Sequence, residues 1–275
     1  MKYRLLGKTG VRISEMALGT MTFGEDWGWG APPEVSARIL DLFADAGGNV
    51  IDTADVYTNG SSETILGELL KGRRDRFVLG TKFTNQTDPG DPNSAGNHRK
   101  KIVTSIEASL RRLQTDHIDL YYVHNRDVLT GVEELMRALD DQVRLGKILY
   151  PAVSDWAAWE IAEASTAARL RDWSPFTAVQ LRYNLLDRTP ERNCCPWPAR
   201  STCRCSPGAR WPKDGSPANT SPATPAGQPR PDAPTPVPAA TTSSATSSPS
   251  PTKSAAHPRR WPFLGCASSP ARSSR

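Results

Sequence analysis

Cysteine is absent from the first 193 residues of this 275-residue chain, and isoleucine is absent from everything after them. The far part holds all five cysteines and 17 of the 24 prolines, with a single leucine. A segment so poor in aliphatic residues cannot bury enough apolar surface to offset the entropy of ordering it. Cys194, Cys195, Cys203, Cys205 and Cys266 include adjacent and Cys–x–Cys pairs, but not the wider ligand spacing of a structural zinc site, so no metal is expected. No run approaches 18 apolar residues, and no basic segment followed by an apolar one opens the chain. A membrane span and a signal peptide are therefore not expected, and the cytoplasm is the default location. Acidic residues are also scarce beyond Asn193: two, against ten Lys and Arg, give +8 there, whereas residues 1–193 carry 24 basic and 27 acidic groups, or −3. The overall positive charge thus belongs to the tail and is no sign of a nucleic-acid partner.

Residues 1–192 do carry periodic structure. "KYRLLGKTGVRIS" reads as a hairpin around Gly7–Gly10, leading to an apolar strand near 16–20. A helix over about 34–46 places Val35, Ile39, Leu40 and Phe43 on one face. "SSETILGELLKGR" reads as a second helix, with Ser61 or Ser62 as its cap. Strands near 49–52, 77–81, 118–123, 149–153 and 177–181 alternate with further helices, and a long polar loop spans 83–97. Strand–helix repeats at this spacing call for an α/β fold with a parallel sheet. Both an incomplete (β/α)8 barrel and a doubly wound sheet fit. No G-x-G-x-x-G follows any strand, which weighs against a dinucleotide fold of the second type.

Polar groups gather at the ends of these strands. Asp52, Tyr57, Lys82 and His124 lie at or just past the C-terminal ends of three successive ones, the face where barrels collect their chemistry. They form a coherent proton-transfer set. A phenol is a poor acid at neutral pH, and a nearby ammonium stabilises the phenolate it leaves behind. A desolvated lysine in turn needs a counter-charge, which Asp52 can supply. A neutral imidazole at His124 can orient a carbonyl oxygen. Each residue alone also has a plain structural role open to it: a turn cap, a loop aromatic, a paired lysine, a buried histidine. No nucleophile elbow competes, and no metal-ligand spacing appears.

The stretches "LGKTGVRISEMALGTMTFG", "VIDTADVYTNGSSETILGELL", "VLGTK", "RRLQTDHIDLYYVH" and "VQLRYNLLDRTPER" resemble the aldo-keto reductase family. The chain resembles in particular the family's bacterial branch with a long polar loop after the catalytic lysine. The resemblance covers residues 1 to about 192. It implies a (β/α)8 TIM barrel, here cut to about six strand–helix units, that reduces an aldehyde or ketone with NADPH by direct hydride transfer. It makes Tyr57 the general acid, Lys82 the group that tunes it, Asp52 the partner of Lys82, and His124 the orienter of substrate. It places the cofactor against Gly19, Thr20, Met21, Asp52, Ser154, Asp155 and Gln180. Arg126 stands where an aromatic residue is frequent, and Pro151 breaks a usual glycine-bearing segment. The small-molecule carbonyl is the expected partner, and the oligomeric state is left open.

The family pattern stops at "TPER", before any counterpart of strands seven and eight and of the segments that grip the adenine end of the cofactor. Impaired activity is the expectation, with a non-enzymatic NADPH-binding or regulatory barrel as the alternative. Residues 193–275 read as a disordered Pro/Ser/Ala/Arg-rich tail, out of frame with the barrel: permitted codons for "STCRCSPGARWPKDGSPANT" allow, in the neighbouring phase, a stretch containing "PWGPLA".

Overall fold

The computed structural model describes residues 1–192 and one further strand, 204–208. A two-stranded antiparallel hairpin comes first, β1 (Tyr3–Leu5) with β2 (Arg12–Ser14). Then follow β3 (Ala17–Gly19), α1 (Pro33–Asp45), β4 (Val50–Asp52), α2 (Ser61–Leu69), β5 (Val78–Phe83) and α3 (Arg99–Leu113). Continuing, β6 (Ile118–Val123), α4 (Val132–Arg144), β7 (Ile148–Ser154), α5 (Ala158–Leu170) and β8 (Ala178–Arg182) complete the alternation. Strands β3 to β8 are six parallel neighbours in chain order, curled into a half-barrel. Sequential order without a reversal separates the barrel from the doubly wound alternative, whose strand order must switch.

Residue parity sorts the two sides of the sheet. Leu79 and Phe83 of β5, Tyr121 and Val123 of β6, and Val153 of β7 join the helices in the main core. Their neighbours Leu120, Tyr122, Ala152 and Ala178 pack inside the barrel with Leu6 of the hairpin. The hairpin therefore plugs the interior. Since side chains alternate along a strand, Lys82 shares the inward side with Gly80, and Asp52 shares it with Val50. Gly80 has a spatial reason: a Cβ there would stand 3.1 Å from the Tyr122 ring.

Several local expectations need correction. The buried stripe of α1 is Ser36, Leu40 and Ala44, while Val35 and Ile39 are exposed. Leu40 keeps its inward place, and the stripe runs through its i±4 neighbours Ser36 and Ala44, which leaves Val35 and Ile39 outside it. Neither Ser61 nor Ser62 caps α2, which starts after Gly60 at φ +95°. The Ser62 hydroxyl instead donates to the Thr20 carbonyl oxygen (2.7 Å), and Thr58 Oγ1 accepts the Ser62 N–H (3.0 Å). Pro151 lies inside β7 without loss, because pairing with β8 begins one residue later, at Ala152–Ala178, and its carbonyl takes the Thr177 N–H. Within the stretch expected to lack order, Arg204–Gly208 forms β9, parallel to β8. An open strand edge offers backbone donors and acceptors to any extended segment, whatever its side chains. The rest of the expected tail lies outside the described residues.

Helices α2 and α3 approach closely at Gly67, where a Cβ would meet the Arg112 carbonyl oxygen at 2.3 Å. Backbone cannot yield as a flexible side chain does. Gly67→Ala is expected to lower stability by about 1–3 kcal/mol, read as a lower urea midpoint at unchanged slope.

Candidate active site

Lys82 organises the rim. Its side chain is fully buried, and Nζ donates to Asp52 Oδ2 (2.8 Å), the Thr53 carbonyl oxygen (2.7 Å) and the Tyr57 hydroxyl (3.2 Å). All three ammonium protons are thereby satisfied. Burial pulls its pKa down, but the Asp52 charge and Tyr57 outweigh that and leave it above the ordinary lysine value. Lys82 therefore stays charged across the neutral range. The other Asp52 oxygen, Oδ1, accepts from Gln180 Nε2 at 3.1 Å. One carboxylate thus links β4, β5 and β8.

Tyr57 is held by its own segment. It opens a short turn in which Thr58 and Asn59 have left-handed φ values of 44° and 55°. Such conformations cost about 1–3 kcal/mol each for residues other than glycine and persist only when the surroundings enforce them. Here Thr58 Oγ1 donates to the Phe23 carbonyl oxygen (2.6 Å) while accepting from the Ser62 N–H. Thr84 and Asp155, just past β5 and at the end of β7, also have positive φ. Four of the six non-glycine residues with positive φ among the described residues thus lie at the rim, a usual place for backbone strain, while Gln114 and Asp172 follow α3 and α5.

His124 faces Tyr57 edge-on, ring centroids 6.0 Å apart. Its Nδ1 lies 3.3 Å from Asn85 Nδ2, and Asn85 Oδ1 accepts from Asn125 at 2.6 Å. With that oxygen engaged, the Asn85 amide presents N–H to Nδ1. A neutral His124 then carries its proton on Nε2, as a donor for a carbonyl oxygen. Asn85 escaped the sequence reading because it sits in the polar loop after β5, where nothing in the spacing marks one amide above another.

Tyr57, His124, Ser154, Asp155, Gln180, Leu181 and Arg182 line one small pocket of about 40 Å³. Of the residues picked out by sequence, the structure brings Asp52, Tyr57, Lys82 and Gln180 into a bonded cluster, with His124, Ser154 and Asp155 beside it. Gly19 pairs with Asp52 in the sheet. Thr20 is fully buried, its N–H on the Asp52 carbonyl oxygen (2.9 Å), so it braces the strand end from behind. Met21 follows it, and none of the three is among the pocket-lining residues. Arg126 points elsewhere: it donates to Glu160 (2.7 Å), and its guanidinium stacks 4.8 Å over the Trp156 ring. Leu181 and Arg182 line the pocket without having been singled out, since the end of a strand is hard to fix from sequence.

The donor set suits a carboxamide-bearing ring. A carboxamide offers one acceptor and two donor hydrogens. A serine hydroxyl, a carboxylate and the Gln180 amide stand together beside Tyr57 to meet them. No helix among the described residues is long and apolar enough to cross a membrane.

The sequence pattern of the aldo/keto reductase family matches residues 15–200. The chain is 42% identical over 206 residues to norsolorinic acid reductase of Aspergillus flavus, covering 70% of this chain and 53% of that protein. It is 39% identical over 207 residues to an aldo-keto reductase of Aspergillus calidoustus (71% and 52%). It is 37% identical over 201 residues to the aryl-alcohol dehydrogenase [NADP(+)] of Phanerodontia chrysosporium (68% and 52%). The chain spans about half the length of these curated relatives.

Proposed function

Because this chain belongs to the aldo/keto reductase family, we propose that it is an oxidoreductase and that residues 1–192 carry the proton-transfer half of an NADPH-dependent carbonyl reductase. The observation that carries the proposal is the threefold hold on Lys82 Nζ by Asp52, Thr53 and Tyr57. A bound reduced nicotinamide would supply hydride to the carbonyl carbon, with Ser154, Asp155 and Gln180 as the residues to hold its carboxamide. As the carbonyl π electrons move onto oxygen, Tyr57 gives its hydroxyl proton to that oxygen and is left as phenolate. Lys82, 3.2 Å from the phenol oxygen, supplies the positive charge that stabilises the phenolate. Asp52 keeps Lys82 charged and aimed, and His124 Nε2–H holds the carbonyl oxygen within reach of Tyr57.

The relatives named for aryl alcohols suggest aromatic aldehydes as first substrates. The test follows absorbance of NADPH with a panel of benzaldehydes, alongside tryptophan fluorescence as NADPH is added. Slow aldehyde-dependent consumption, above the no-aldehyde rate, is the expected result. Saturable NADPH binding with no consumption would overturn the reductase assignment in favour of a binding protein on the same barrel.

A further inference from the structure

A second cluster of charges lies behind the site and takes no part in the chemistry above. Asp55, between Asp52 and Tyr57 in the chain, is buried, and neither of its carboxylate oxygens has a hydrogen-bond partner. Lys101 Nζ, itself buried, stands 3.7 Å from Asp55 Oδ2 and donates to Thr87 Oγ1 at 3.1 Å. The remaining groups facing Asp55 are Ser105 and Arg112 of α3, Glu63 of α2 and Tyr121 of β6. Asp91 in the loop after β5 acts on Lys101. Glu63 has its own partners, Arg112 (2.7 Å) and Thr81 (2.5 Å), so it does not neutralise Lys101 in place of Asp55.

These contacts tie together the two loops that carry the site. The Asp55 N–H donates to the Lys82 carbonyl oxygen (3.1 Å), which fixes the Tyr57 segment against the end of β5. Thr87 belongs to the loop that holds Asn85 against His124. Lys101 is the strut between them, rooted in the first turn of α3 by its N–H bond to His98 Nδ1. We propose that Asp55 and Lys101 are positioning residues, a buried pair that sets the distance between the Tyr57 segment and the His124–Asn85 side through Thr87. The proposal rests on the assignment of Tyr57 and His124 above only for its catalytic meaning.

Protonation is the natural control of such a strut. Burial pushes the Asp55 pKa up to about 7, with Lys101 opposing, Glu63 adding to the rise and Arg112 opposing it. Burial also lowers the pKa of Lys101, against the pull of Asp55. Near neutral pH the attraction between the two changes as Asp55 takes up or releases its proton. The folded pKa of Asp55 lies above that of a free carboxyl, so ionisation works against the folded state. Its contribution to stability is therefore present at acid pH and declines as pH rises from about 4 towards about 7.

The test is an amide NMR titration of the full chain from acid to mildly alkaline pH, with hydrogen exchange on the same samples. In the parent, the amides of Tyr57, Asn85 and Thr87 are expected to follow one shared midpoint near neutrality. Asp55→Asn should remove that midpoint from all three. Thr87→Val, which leaves the buried pair intact, should remove it from positions 85 and 87 but keep it at Tyr57, and raise exchange about tenfold at the Gly96 amide, whose N–H closes this loop on the Thr84 carbonyl oxygen (2.8 Å). A shared midpoint that persists at Asn85 and Thr87 in Asp55→Asn, or at Asn85 in Thr87→Val, would overturn the proposal. A chain that titrates as described yet consumes no NADPH keeps the strut and loses only the reductase assignment.

Discussion

Tyr57→Phe is expected to lower carbonyl reduction by about 10²–10⁴-fold, the usual worth of a positioned general acid. The substitution removes one oxygen and little else. The ring would keep its edge-on contact with His124 and its place 4.8 Å from Lys82 Nζ. Lys82 would lose the weakest of its three contacts and keep Asp52 and Thr53. NADPH binding should be unchanged, and the unfolding free energy from urea titration should change by no more than about 0.5–1.5 kcal/mol. Turnover and binding measured on one preparation separate the roles. Full turnover in the variant would remove Tyr57 as the acid and leave His124 as the next donor to test.

The largest combined loss of activity and stability is expected at Lys82→Met. Methionine replaces the buried stem but not the charge, so the Asp52 carboxylate loses its partner and the Thr53 carbonyl its donor. Breaking a buried ion pair from one side costs about 3–5 kcal/mol. Asp52 retains 19% exposure and its bond from Gln180, which places the expectation at the lower end. Because the lone carboxylate causes much of this loss, adding Asp52→Asn should restore part of the stability and none of the activity. Denaturant unfolding of the two single variants and the double variant, with turnover beside it, gives the coupling directly. Stabilities that simply add would mean that the pair contributes little.

The bonded cluster of Asp52, Tyr57 and Lys82 is legible in the sequence because strand chemistry is local. Asp52 and Lys82 fall at inward positions by a period of two, and each stands out as a charged group ending an apolar run. The same logic failed on α1, where Val35 and Ile39 looked like core and proved exposed. Helix periodicity identifies Leu40 as inward, but the neighbouring surface decides which adjoining positions are covered with it, here Ser36 and Ala44. Asp55 and Lys101 were passed over because a charge in a loop or in the first turn of a helix reads as solvated. Their burial depends on α2, α3 and β6 meeting at one point, which no single window of sequence contains. The Gln180 amide was expected to serve a cofactor, and the structure also gives it Asp52 as a partner, a contact between residues 128 positions apart.

That last contact implies an order of assembly. Asp52 meets Lys82 across 30 residues, and Tyr57 meets Lys82 across 25. The proton-transfer trio therefore needs only β4, β5 and the crossover between them, with the Tyr57 segment and α2. Gln180 reaches Asp52 only after β6, β7 and β8 have been laid down and the sheet has bent far enough to bring its fourth neighbour back across the barrel. Closing a loop of that length costs about 1 kcal/mol more in chain entropy than closing the Asp52–Lys82 loop. On the ribosome the bond waits for the emergence of β8, which predicts that it forms after the Asp52–Lys82 pair. It acts as the latch of the arc: the trio can exist on a flat sheet, whereas the Asp52–Gln180 bond exists only on a curved one.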